Sequence, residues 1–139
     1  MTTRYRRNRF RGQGIVEFAL VGPLFFLMLI GTIEMGRLMW VNHELSSGTR
    51  EGARWATVRG ENFTGSPISD SDVQAIILER TSALDAARLG VVVTWSDPAR
   101  PPGSTVTVAT TYVYQPMVGG FLGIGNITMN RQSVMTVHY

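Results

Sequence analysis

Ten carboxylates, two histidines and no cysteine are the side chains from which acid–base, metal or thiol chemistry would have to be drawn. The histidines, His43 and His138, stand far apart, and neither has other ligands at metal-binding spacing. Asp70 and Asp72 open a helical pattern and Asp85 lies further along it, where helix-start electrostatics explain the first pair better than proton transfer. No glycine-rich phosphate loop follows a strand, no nucleophile elbow is visible, and the absence of cysteine removes disulfides and thiolate sites. The sequence therefore predicts no enzyme, no cofactor and no metal.

One carboxylate is different. Glu17 stands at the mouth of the sixteen uncharged, mostly apolar residues Phe18 to Ile33, just after a cluster of arginines. A carboxylate at the centre of a bilayer costs about 2.5–3.5 kcal/mol, and less near the edge. Local physics allows Glu17 to be solvated at the interface, or to await a positive partner in the membrane.

The elements around Glu17 follow from the apolar run. As a helix, 18–33 is about 24 Å long, and with the flanks 13–17 and 34–36 about 36 Å, against a hydrocarbon core of about 30 Å. All thirteen basic residues are arginine, and Arg4, Arg6, Arg7, Arg9 and Arg11 precede the run. That placement predicts a cytoplasmic N-terminus and an extracytoplasmic remainder. From Gln13 onward eight arginines face ten acids, −2 overall, so the basic character belongs to the leader and nucleic acid is not an expected partner.

Helical signals continue through Leu38, Val41 and Leu45 to Gly48, Gly52, Ala53 and Ala56, predicting one helix over 14–58, about 65 Å long, with Pro23 favouring a kink. Residues 60–69 read as a loop. Ser71 with Gln74 predicts a capping box for a second helix, with the stripe Val73, Ile76, Ile77, Leu84 and Ala87 and a stop at Gly90. "GVVVTW", "TVTVATTYVY" and "ITMNRQSVMTVHY" read as strands, with Val106, Val108, Tyr112 and Tyr114 on one face of the second and Ile127, Met129, Met135, Val137 and Tyr139 on one face of the third. The fold class is α+β: a long N-terminal transmembrane and stalk helix, then a small head of one helix and a roughly three-stranded antiparallel sheet. The segments are a leader over 1–12, a transmembrane helix over 13–36, a helical stalk over 37–59 and a head over 60–139.

The spacing of "RGQGIVEF" resembles the processing site of type IV prepilins, in which a basic leader ends in glycine and a glutamate stands fifth in the mature chain. Here Gly12 would end the leader, Gln13 would begin the mature chain, and Glu17 would be its fifth residue. Glycine admits the backbone to a tight protease site, and the new amine is a cation that a neighbouring subunit's carboxylate can neutralise. "VEFAL" with its following proline, "IEMGR" and "REGAR" narrow the resemblance to the TadE-like family of minor pilins or pseudopilins, over residues 12 to 60. In the head, the strand ending "YQP", the apolar glycine-rich loop and the final strand are also similar to that family.

The resemblance implies a membrane-anchored subunit of tight-adherence (Flp) type IV pilus assembly and surface adherence. It would be cut by a prepilin peptidase between Gly12 and Gln13 and held in register through Glu17. Its partners would be that peptidase, other pilin subunits and the Tad assembly machinery in the bacterial inner membrane. Phe18 replaces the tyrosine usual in major Flp pilins, and those lack a head, so the resemblance implies an accessory subunit. Arg50, Glu51 and Arg54 of "REGAR" are candidate assembly contacts, although their spacing also suits i,i+3 and i,i+4 pairs on a solvated face. Tyr112 and Tyr114 suit sheet packing, and the apolar loop 117–124 suits core, membrane contact or subunit interface. Alternative readings are an uncleaved, membrane-tethered binding module, a secreted protein with an ordinary signal peptide, and an exported enzyme; no A-x-A-like site supports the signal peptide.

Overall fold

The computed structural model describes residues 10–59 and 68–138, with the side chains of Phe10, Arg11, Phe121 and Leu122 left aside. Met1 to Arg9, most of the expected loop over 60–69, and Tyr139 lie outside the described residues. Helix α1 (Phe10–Val58) is followed by α2 (Asp70–Arg80), a 3-10 turn (Ala86–Arg88), β1 (Leu89–Trp95), β2 (Thr105–Tyr114), a short turn of helix α3 (Gly119–Leu122) and β3 (Ile127–Thr136). This is the expected α+β fold. The chain divides into two compact units, one up to Gly36 and one from Arg37.

In the first unit α1 carries the uncharged, mostly apolar run Phe18 to Ile33 between Glu17 and Glu34. It begins at Phe10, four residues before the expected start, and stays helical through Pro23. The second unit holds the core. The strands form one antiparallel sheet in the order β1-β2-β3. Val106, Val108, Thr110, Tyr112 and Tyr114, all buried, are the alternate residues of β2 on its inner face. Their neighbours on that face are Leu89, Val91, Val93 and Trp95 of β1 and Ile127, Met129, Ser133 and Met135 of β3. The α1 residues Val41, Leu45, Thr49, Ala53 and Ala56 are buried at three- and four-residue spacing. Two clusters result. One gathers Ala53, Ala56, Ile68, Val73, Ile77, Val106 and Val108, the other Val41, Leu45, Leu84, Tyr112, Tyr114 and Met129. At the centre of the helix–sheet contact the hydroxyls of Thr49 and Thr110 lie 2.6 Å apart, satisfying two buried polar groups with each other.

The start of α2 corrects the expected capping box. The N-cap is Ser69, not Ser71, and its partner three residues on is Asp72, not Gln74. The Asp72 N–H donates to the Ser69 hydroxyl at 3.2 Å, and the Ser69 N–H donates to the Asp72 carboxylate at 2.9 Å. Burial of Ile68 before the cap and Val73 four residues into the helix sets this register, as in a hydrophobic staple. Nor is Gly90 the stop. The helix ends at Arg80, where Thr81 is the C-cap and its hydroxyl donates to the Ile77 carbonyl at 2.7 Å. Leu84 is buried beyond it, Ala87 lies in the 3-10 turn, and Gly90 is in β1 opposite Thr111. Asp85 caps that turn and pairs with Arg88 at 3.1 Å.

Gly48 and Gly52 are where α1 and α2 meet. A Cβ on Gly48 would lie 2.6 Å from Thr81 Cγ2, and one on Gly52 would lie 2.5 Å from Ile77 Cγ1. Both targets are buried and cannot swing aside. The helical cost of glycine is thus the condition for close packing. Overpacking costs about 1–3 kcal/mol against about 1 kcal/mol of helix propensity regained. Gly52→Ala should therefore lower stability by up to about 2 kcal/mol, read as a reduced melting temperature of the detergent-solubilised chain.

A second outcome concerns acid. The hydrogen bond from the Ser69 side chain, then that from its backbone N–H, holds the Asp72 carboxyl below its usual range, with Arg59 adding to the effect. Because the folded value is depressed, this contribution is complete above the unfolded carboxylate range, about pH 4, and is lost as pH falls through the folded value. The Ser69 amide resonance should titrate in that acid window and stop doing so in Asp72→Asn.

Candidate functional sites: an exposed apolar helix and a basic groove

The first candidate lies in the first unit. Phe18 is 72% exposed and Leu20 75%, and Leu24, Phe25, Phe26 and Met28 are likewise exposed. Among the described residues no other element covers this stretch of α1. Its length and composition are sufficient to cross a membrane. Glu17 lies at the start of this surface, exposed, and among the described residues it forms no ion pair. Gly12 and Gln13 are exposed on the preceding turn, and a Cβ on Gly12 would meet nothing within 4 Å. Gly12 therefore differs from Gly48 and Gly52, because no packing in the fold requires a glycine there.

The second candidate lies in the second unit. Arg50 and Arg54 are exposed on the side of α1 that looks toward β3. With His43, Ser46 and Ser47 on the same helix face and Met135 on β3, they line an open groove of about 360 Å³, which Glu51 also borders. The ion pairs expected within "REGAR" do not form among the described residues. Glu51 instead accepts a hydrogen bond from Trp55 Nε1 at 3.0 Å, and Arg59 stacks on the same indole with its guanidinium carbon 4.7 Å from the ring centre. An indole N–H four residues along the helix thus occupies the carboxylate, and the two arginines are left facing the groove. His43, read from sequence as an isolated histidine, is part of this surface. Its position three, four and seven residues before Ser46, Ser47 and Arg50 is the helical spacing that places them together.

Elsewhere the polar chemistry is structural. Trp95 Nε1 donates to Asp70 at 2.7 Å, the Arg100 guanidinium carbon lies 4.4 Å from the Trp95 ring centre, and Arg100 donates to the Ile68 carbonyl. This clasp ties the β1–β2 turn to the start of α2. Tyr112 and Tyr114 are buried in the sheet face, with Arg37 5.6 Å from the Tyr114 ring centre. In the loop 117–124, Gly119 is buried, as is Pro116 just before the loop, while Met117 and Ile124 are exposed on either side of α3.

An uncovered apolar helix joined to a small α+β unit defines a class, with features consistent with a membrane anchor carrying a compact domain. Within that class, residues 12–54 match the family model described as TadE-like protein. The match begins at Gly12 and ends at Arg54, so it takes in Gly12, Gln13, Glu17 and Phe18 as well as Arg50 and Glu51, and stops short of the sheet. The similarity expected for the head lies outside it. No curated protein and no solved structure matches the chain.

The anchor reading has a direct check. An arginine at the centre of a spanning helix costs about 2.5–3.5 kcal/mol. The wild-type chain should remain in the membrane pellet after alkaline carbonate extraction, and Phe26→Arg should shift a large part of it to the supernatant.

Proposed function

We propose that the chain is a minor pilin or pseudopilin of a Tad (Flp) pilus system, anchored in the bacterial inner membrane and acting as a structural subunit, not as an enzyme. The observation that carries this reading is the coincidence of the TadE-like match over 12–54 with an exposed apolar helix whose threshold residue is Glu17. The arginine-rich segment stays on the cytoplasmic side and the α+β unit lies outside.

Cleavage after Gly12 by a prepilin peptidase creates an α-amino group on Gln13. That amine is a cation at the membrane edge, and Glu17 of a neighbouring subunit is its counter-ion. A charge pair in an apolar interface fixes register more than it adds stability, because both groups lose water on pairing. Phe18, exposed beside Glu17, supplies apolar surface next to the pair. The bare surroundings of Gly12 support a requirement imposed from outside the fold, such as passage through a protease site.

Co-expression with a prepilin peptidase, followed by intact-mass measurement of the membrane-bound chain, tests the reading. The wild type should lose Met1 to Gly12, and Gly12→Phe should keep them. Glu17→Ala should still be cut but appear in sheared filaments at a small fraction of the wild-type level. A wild-type chain that keeps its leader and is absent from sheared pili would point to a membrane-tethered binding module instead.

A further inference from the structure

The inner face of the sheet is covered unevenly. Over β2 it is sealed, with Val106 and Val108 at 0% exposure. Their cross-strand neighbours on β3, Met135 and Ser133, are only half-buried, and Arg131, opposite Thr110, is exposed. Contacts from α2 go to β1, and the Thr49–Thr110 bond sets α1 over β2. The ground beside β3 on that face is the groove carrying Arg50 and Arg54.

The outer edge of β3 is also open. Val137 exchanges hydrogen bonds with the β2 side, its N–H donating to the Ser104 carbonyl and its carbonyl accepting from Gly103. Alternation along an antiparallel pair then turns the backbone groups of Thr128, Asn130, Gln132, Val134 and Thr136 outward. Among the described residues β3 pairs with β2 alone. The next outward amide, that of His138, is taken by the Thr57 carbonyl of α1 at 3.2 Å. One end of the edge is therefore closed by the chain itself and the Asn130 carbonyl accepts from the Arg131 guanidinium at 2.8 Å, while the outward amides of Asn130, Gln132 and Val134 have no strand beside them among the described residues.

We propose that β3 accepts a fourth strand from a partner protein, an extended segment with carboxylates at alternate positions. A strand added about 4.8 Å beyond β3 sends every second side chain to the inner face. Those side chains enter the groove opposite Arg50 and Arg54, where acidic residues find two cations not held by Glu51. The intervening positions face outward beside the exposed Val134 and suit β-branched residues. Main-chain pairing supplies affinity and the two arginines supply selectivity, as in strand addition to exposed sheet edges. The β1 edge is shorter, seven residues against ten, and the groove that carries Arg50 and Arg54 is lined from the sheet by Met135 of β3. The proposal is independent of leader cleavage and of pilus membership.

The test uses the full chain in detergent micelles and a synthetic peptide about as long as β3, alternating Glu with Thr or Val. Binding should slow amide exchange at Asn130, Gln132 and Val134. The double variant Arg50→Glu/Arg54→Glu should bind it at least about tenfold more weakly, yet bind a Lys-for-Glu peptide better than wild type does. Gln132→Pro removes one outward amide without touching the β2 ladder, and should weaken binding while leaving the melting temperature near wild type. No binding at millimolar peptide, binding indifferent to the charge swap, or protection away from β3 would each overturn the proposal. So would arginine resonances that move only in phosphatidylglycerol nanodiscs, since the groove would then be a lipid contact.

Discussion

One continuous helix, α1, carries two kinds of surface, and everything else in the molecule follows from how its side chains change along its length. From Phe18 to Ile33 they are uncharged and mostly apolar on every side, a surface consistent with a membrane anchor. From Arg37 they become one-sided, with Val41, Leu45, Thr49, Ala53 and Ala56 inward and Arg50 and Arg54 outward. The small domain borrows that inward stripe as a wall of its core. A three-stranded sheet with one helix of about three turns buries little on its own, and α1 provides the missing layer.

The glycines divide along the same line. Gly48 and Gly52 are held by sterics, since α2 leaves no room for a side chain. Gly12, Gly14, Gly31 and Gly36 have open space around them, so no packing within the described residues requires a glycine there. The matched family span covers both glycine groups and ends inside α1, before α2 and the sheet.

Much of this was legible in the sequence because strong periodicities leave few choices. The alternation in 105–114 fixes β2 and its buried face, and the apolar run fixes the exposed helix. Two local errors have physical causes. Ser69–Asp72 and Ser71–Gln74 offer the same capping pattern, and burial of Ile68 and Val73 decides between them, which short-range reading does not weigh. Gly90 looked like a helix stop, but α2 had already ended at Thr81, and a glycine opposite Thr111 sits on the exposed face of β1 at little cost. The groove was the least legible feature. The helical spacing of His43, Ser46, Ser47 and Arg50 was visible, but that β3 leaves their flank uncovered, and that Trp55 captures Glu51, are properties of the packed domain.

The central claim is that lipid surrounds α1 up to about Gly36 and a protein core begins beyond it. The chain has no cysteine, so single cysteines introduced along 12–58 report accessibility without background. The measurement is labelling by a membrane-impermeant maleimide of the chain in sealed membranes and after solubilisation. The account predicts uniform protection across 18–33 whatever the helix face, then a helical period from Arg37 onward, with positions 50 and 54 labelled and 45 and 53 protected. Ready labelling within 18–33 in intact membranes, or a helical period continuing through that run, would contradict it.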